Sequence, residues 1–61
     1  MRDWFRKIRE DKKMTQDEFA KIIGYSQKLV SKIEVGGDIK VSTAKNIAEK
    51  LDIEWPLFFK D

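Results

Sequence analysis

Read for spacing alone, the apolar residues fall into five short groups divided by three glycines and one proline. Trp4, Phe5 and Ile8 share one face of a helix predicted from about Asp3 to Lys12, with the aliphatic stem of Lys12 extending that face. Asp3–Lys7, Arg6–Glu10 and Lys7–Asp11 set opposite charges at i,i+4 on the same segment. Thr15, followed three residues later by Glu18, is a capping box that opens a second helix. Phe19, Ala20, Ile22 and Ile23 then cover an apolar arc of about 160°, and Gly24 supplies the left-handed residue that ends it. Ser26 caps a third helix from Gln27 to about Val35, with Leu29, Val30 and Ile33 inward. Gly36 and Gly37 open a loop through Lys40. Val41, Ala44, Ile47, Ala48 and Leu51 form the stripe of a fourth helix, and Trp55-Pro56-Leu57-Phe58-Phe59 predicts a short fifth, its proline in the first turn. No segment reads as a strand. The expectation is a compact, all-α, five-helix domain spanning residues 1–61. Only Tyr25 and Ser26 separate Gly24 from the next helix, so helices two and three must cross steeply, as a helix-turn-helix over about residues 15–35.

Composition narrows the function. The chain of 61 residues has neither cysteine nor histidine, which removes the commonest metal ligand, the commonest general base and any disulfide framework. A serine nucleophile would need a lysine base, and nothing in the pattern sets one beside Ser26, Ser31 or Ser42. No enzyme activity, metal, cofactor or small-molecule site is expected. No apolar run approaches the roughly 20 residues of a membrane span, and MRDWFRKIRE has no signal-peptide core. A cytoplasmic, nucleoid-associated location is therefore expected. Net charge is +2, but it is uneven: Arg2, Arg6, Lys7, Arg9, Lys12 and Lys13 outnumber Asp3, Glu10 and Asp11 in the first fifteen residues. Arg2, Arg6, Arg9 and Lys13 read as a solvated face of the first helix, with Arg9 turned inward. A phosphate-binding stripe is the alternative.

The third helix carries the sharper signal. On a helical wheel Gln27, Ser31, Val35, Lys28 and Lys32 lie within about 140°, opposite the apolar residues. Gln27, Lys28, Ser31 and Lys32 thus form one polar strip on a helix about 12 Å long. The B-DNA major groove is about 12 Å wide; glutamine pairs with adenine N6 and N7, and lysine with guanine O6 and N7. A polar strip is also what any surface helix shows. The added weight comes from the two caps, the glycine turn and the matching apolar phases.

MTQDEFAKIIGYSQKLVSKIEVG resembles the helix-turn-helix of the lambda-repressor-like family, also called the Cro/cI or xenobiotic-response-element type. The residues that match its pattern are Met14, Thr15, Gln16, Phe19, Ala20, Gly24, Tyr25, Ser26, Val30, Ser31, Ile33, Glu34 and Gly36. FRKIREDKK looks like the family's first helix and VSTAKNIAEKLDIEWPLFF like its last two. The resemblance implies sequence-specific binding of double-stranded DNA by a small transcriptional regulator, a repressor, on a palindromic operator. It implies base contacts from Gln27, Lys28, Ser31 and Lys32, and phosphate contacts from Gln16, Ser26 and the loop residues Gly36, Gly37 and Lys40. Arg9 and Glu34 match positions of a buried structural ion pair. The sequence departs from the family at VGGDIK, which lacks proline and serine before the fourth helix, at Ile22, usually polar, and at Tyr25, usually aliphatic.

Trp55, Leu57 and Phe59, with Ile22 or Trp4, are expected to form a homodimer surface, because operators are commonly read by dimers. The alternative function is a protein-interaction module, such as an antitoxin or anti-repressor partner using the same fold. Such a module should show apolar anchors along the strip, where this chain has Gln, Lys, Ser and Lys.

Overall fold

The computed structural model describes residues 1–60. Its helices are α1 (Asp3–Asp11), α2 (Gln16–Ile23), α3 (Gln27–Glu34) and α4 (Val41–Leu51), followed by a 3-10 turn at Trp55–Phe59; none of the described residues is in a strand. The last segment is therefore not a fifth α-helix. It spans only five residues and Pro56, at its start, has no N–H to give. What closes it are i→i+3 bonds, Leu57 N–H to the Glu54 carbonyl at 3.1 Å and Lys60 N–H to that of Leu57 at 3.4 Å. Lys12 and Val35 lie one step outside α1 and α3, at their C-caps.

Each helix buries most of the stripe its spacing prescribes, but Ile22 on α2 and Val41 at the start of α4, at the edges of theirs, are exposed. Phe5 from α1, Phe19, Ala20 and Ile23 from α2, Val30 and Ile33 from α3, Ala44, Ile47 and Ala48 from α4, and Phe58 from the turn make the core. Aromatic edges organise it: Phe5 meets Phe19 at 5.3 Å between centroids, and Trp4 meets Phe5 at 5.7 Å and Phe58 at 5.0 Å, each close to T-shaped. Trp4 thereby packs partly against the core.

Polar side chains then tie the ends of the elements together. Arg2, just before α1, reaches three carbonyls at once: Ile33 at 2.9 Å, Gly37 at 2.8 Å, and Phe58 through two nitrogens at 3.2 Å each. It does not belong to a solvated face. Its charge serves the carbonyls at the end of α3 and in the 3-10 turn, where negative partial charge collects. Lys50 Nζ donates to the Ile23 carbonyl at 2.9 Å, closing the end of α2, and Asn46 donates to the Tyr25 hydroxyl at 3.3 Å. On α1 the cation that meets Asp3, at 3.6 Å, is Arg6 rather than Lys7, and Arg6 also faces Glu10 at 3.8 Å.

Candidate nucleic-acid interface

The turn between α2 and α3 is built from three residues. Gly24 adopts φ +79°, a conformation that costs an L-residue about 1–2 kcal/mol, and Tyr25 N–H returns to the Ala20 carbonyl at 3.0 Å. A Cβ on Gly24 would also lie 2.6 Å from Lys50 Nζ. Ser26 then starts the next helix at once, its hydroxyl accepting the Leu29 N–H at 3.2 Å. Before the turn, Thr15 and Glu18 complete the capping box at 2.8 and 3.1 Å.

This arrangement fixes which way α3 faces. Val30, Ile33 and Glu34 are buried, while Gln27, Lys28, Lys32 and Val35 are exposed and Ser31 is half-buried. No hydrogen bond or ion pair among the described residues engages the polar side-chain atoms of Gln27, Lys28, Ser31 or Lys32. The strip therefore presents amide, ammonium and hydroxyl groups to solvent, on a helix of eight residues.

The inner edge of α3 is held by one buried charge. Glu34 is 5% exposed and accepts from Arg9 Nε at 2.7 Å, from Arg9 Nη2 at 3.2 Å and from Gln16 Nε2 at 3.1 Å. Arg9 Nη1 continues to the Met14 carbonyl at 2.9 Å. Donating hydrogen bonds to the Glu34 carboxylate raises the already high pKa of Arg9, outweighing the opposing effect of burial. This network joins α1, the start of α2 and the end of α3. Gln16 lies within it, one amide proton directed at Glu34 and a second available to another acceptor.

The other residues expected at phosphates are distributed around α3. Ser26 Oγ acts as the cap acceptor, which leaves the hydroxyl proton free to donate. Gly36 and Gly37 behave differently from an open donor loop. Their N–H groups donate to the Ile33 and Lys32 carbonyls at 3.1 and 2.8 Å, because the end of α3 leaves carbonyls that need donors. A phosphate there would have to share those protons. Gly37 also lets Lys32 pass close by: a Cβ would sit 2.5 Å from Lys32 Cγ. Lys40 is exposed, at the N-cap of α4. Of the apolar residues expected at an interface, Trp55 and Phe59 are exposed and meet edge-on at 6.0 Å, Lys45 Nζ lies 5.1 Å from the Trp55 ring, and Leu57 is half-buried. Ile22, on α2, is exposed too.

A family model described as helix-turn-helix matches residues 5–58, nearly the whole of this architecture. The chain belongs to the Cro/cI-type helix-turn-helix family. That family is one of DNA-binding transcription regulators. Among relatives, the chain is similar to a Bacillus subtilis (strain 168) protein named "Uncharacterized HTH-type transcriptional regulator YqaF". The two are 39% identical over 62 aligned positions, covering 100% of this chain and 82% of the relative. No solved structure matches the chain. Within this helix-turn-helix protein, the clamp by Arg2 is the largest of the contacts that the sequence pattern does not reveal, beside those of Lys50 with the Ile23 carbonyl and Gln16 with Glu34. Its one local signal was an arginine placed immediately before the first helix.

Proposed function

We propose that this helix-turn-helix protein binds double-stranded DNA sequence-specifically as a small transcriptional regulator, acting as a repressor at the nucleoid. The observation that carries this reading is the outward strip of α3, uncommitted within the fold and braced from behind by α2 and Glu34. Seated in a major groove, Gln27 offers a donor and an acceptor to adenine, and Lys28 and Lys32 donate to base acceptors such as guanine O6 and N7. Ser31 reaches a base or a phosphate. Gln16, Ser26 and Lys40 anchor the backbone, with Gly36 and Gly37 sharing their N–H groups.

One module of this size makes a small interface with DNA. A palindromic operator read by a homodimer, with half-sites about 34 Å apart, supplies the rest. Trp55 and Phe59, exposed beside the half-buried Leu57, favour that surface for the dimer contact. The partner-binding alternative needs apolar anchors on the strip, and the strip is polar.

Selection from a random duplex pool at two salt concentrations tests the reading. The expected result is a palindromic motif enriched at both. A steep salt dependence with no motif enriched would mean phosphate attraction alone, and the proposal would be wrong.

A further inference from the structure

One part of the α3 surface is not explained by polarity. Ser26, Lys28, Leu29 and Lys32 line an open recess of about 300 Å³ at the start of the helix, and more of its lining is carbon than nitrogen or oxygen. Leu29 is half-buried there, packed on one side against the core and bare on the other. Two ammonium-bearing side chains flank it, both exposed. A carbon-lined floor beside two cations is a specific chemical combination. It suits a ligand edge that sets an apolar group next to a hydrogen-bond acceptor.

Only one base offers that edge in the major groove. Thymine shows a C5-methyl group beside the O4 acceptor. Guanine and adenine offer acceptors but no methyl, and cytosine offers an amino donor and no methyl. We propose that the recess takes the methyl group of a thymine, with Lys28 or Lys32 donating to its O4, which makes Leu29 a specificity-determining residue. This rests on the major-groove reading of α3 given above.

The test removes the methyl from the DNA rather than the leucine from the protein. On the site enriched from the random pool, each thymine is replaced in turn by deoxyuridine, and binding of the unaltered protein is measured. One position per half-site should weaken about fourfold, the effect of exposing one methyl-sized group, while the other thymines change little. A 5-methylcytosine·guanine pair at that position keeps a methyl but replaces the acceptor with a donor, and should bind about tenfold more weakly or worse. In Leu29→Ala the preference for thymine over uracil should vanish; in Leu29→Met, which keeps apolar bulk, it should persist. Indifference to uracil at every thymine of an enriched motif overturns the inference and leaves α3 in the groove. Failure to enrich any motif overturns both. If Leu29 serves packing alone, Leu29→Ala lowers thermal stability yet discriminates thymine from uracil as the parent does, and the assignment to this residue is wrong.

Discussion

Removing the Glu34 carboxylate should be as damaging as emptying a core position. Glu34→Ala deletes three hydrogen bonds and leaves the Arg9 guanidinium, whose side chain is 15% exposed, holding only the Met14 carbonyl. Stranding one partner of a buried ion pair costs about 3–5 kcal/mol. A domain of 61 residues has about 3–9 kcal/mol in total. Glu34→Ala should therefore be largely unfolded at 25 °C, or melt lower by more than about 12 °C. Glu34→Gln keeps the shape and one acceptor, and its loss should be about 1.5–3 kcal/mol. Arg9→Met combined with Glu34→Leu removes both charges together and should cost far less than the sum of the single changes. Urea unfolding followed by circular dichroism measures these variants beside wild type and the single changes Arg9→Met and Glu34→Leu. The pKa of Arg9 is raised, so its contribution is complete below the unfolded value and is lost only as pH rises through the higher folded one. The wild-type advantage over Arg9→Met should therefore not fall between neutrality and about pH 10. A Glu34→Ala protein within about 1 kcal/mol of wild type, or strictly additive double-mutant behaviour, would mean that Arg9 and Glu34 do not act as a coupled buried pair.

Four further outcomes follow from named contacts. Gln27→Ala should cost about 1–3 kcal/mol on the preferred site and relax the base preference at one position, read by repeating the pool selection. Gln16→Ala should weaken binding by a similar factor on every sequence, since a phosphate contact carries no base information, and a competition assay with scrambled duplex checks this. Arg2→Lys should destabilise by about 2–4 kcal/mol in thermal melts, because an ammonium cannot reproduce a planar fork that serves the Ile33, Gly37 and Phe58 carbonyls together. Gly24→Ala should cost about 1–2 kcal/mol for its positive φ, and more in denaturant titration if Lys50 is driven off the Ile23 carbonyl.

What could be seen in the sequence divides along a physical line. Signals that act within one helical turn were visible: Thr15 with Glu18, Ser26 before Gln27, Gly24 at the end of α2, and the apolar stripes, most of which form the core while Ile22 and Val41 stay exposed at their edges. The outward phase of Gln27, Lys28 and Lys32 followed from the same stripes. Contacts between residues far apart in the chain left no local trace. The partners of Arg2 lie 31, 35 and 56 positions away, and the carbonyl reached by Lys50 is 27 away. The pairing of Arg9 with Glu34, 25 positions apart, was legible through family resemblance, with the helical wheels in agreement. That Gln16 also donates to Glu34 was not. The last segment was misread because its apolar content resembles a helix, while its five residues and Pro56 leave too few donors for the i→i+4 ladder.

The contacts also separate holding α3 from reading with it. Everything that orients the helix acts on its inner side or its ends: Val30 and Ile33 in the core, Glu34 in the ion network, Ser26 at the first turn, and Arg2 on the Ile33 carbonyl. Gln27, Lys28 and Ser31 supply none of these, so changing them alters the surface α3 presents without altering how the helix is held. Lys32 is the exception. Its stem lies against Gly37 and its carbonyl accepts the Gly37 N–H, while the Gly37 carbonyl in turn receives Arg2. The position of Lys32 is thus fixed by the loop that closes α3, and of the strip residues it is the one whose placement depends on the Arg2 clamp. Gln16 stands on the other side of α3, since one amide proton braces Glu34 while the second has no partner among the described residues. Under the proposed DNA-binding role, docking on the backbone and steadying α3 would share one side chain, and a shift of α2 against the DNA would be transmitted directly to α3.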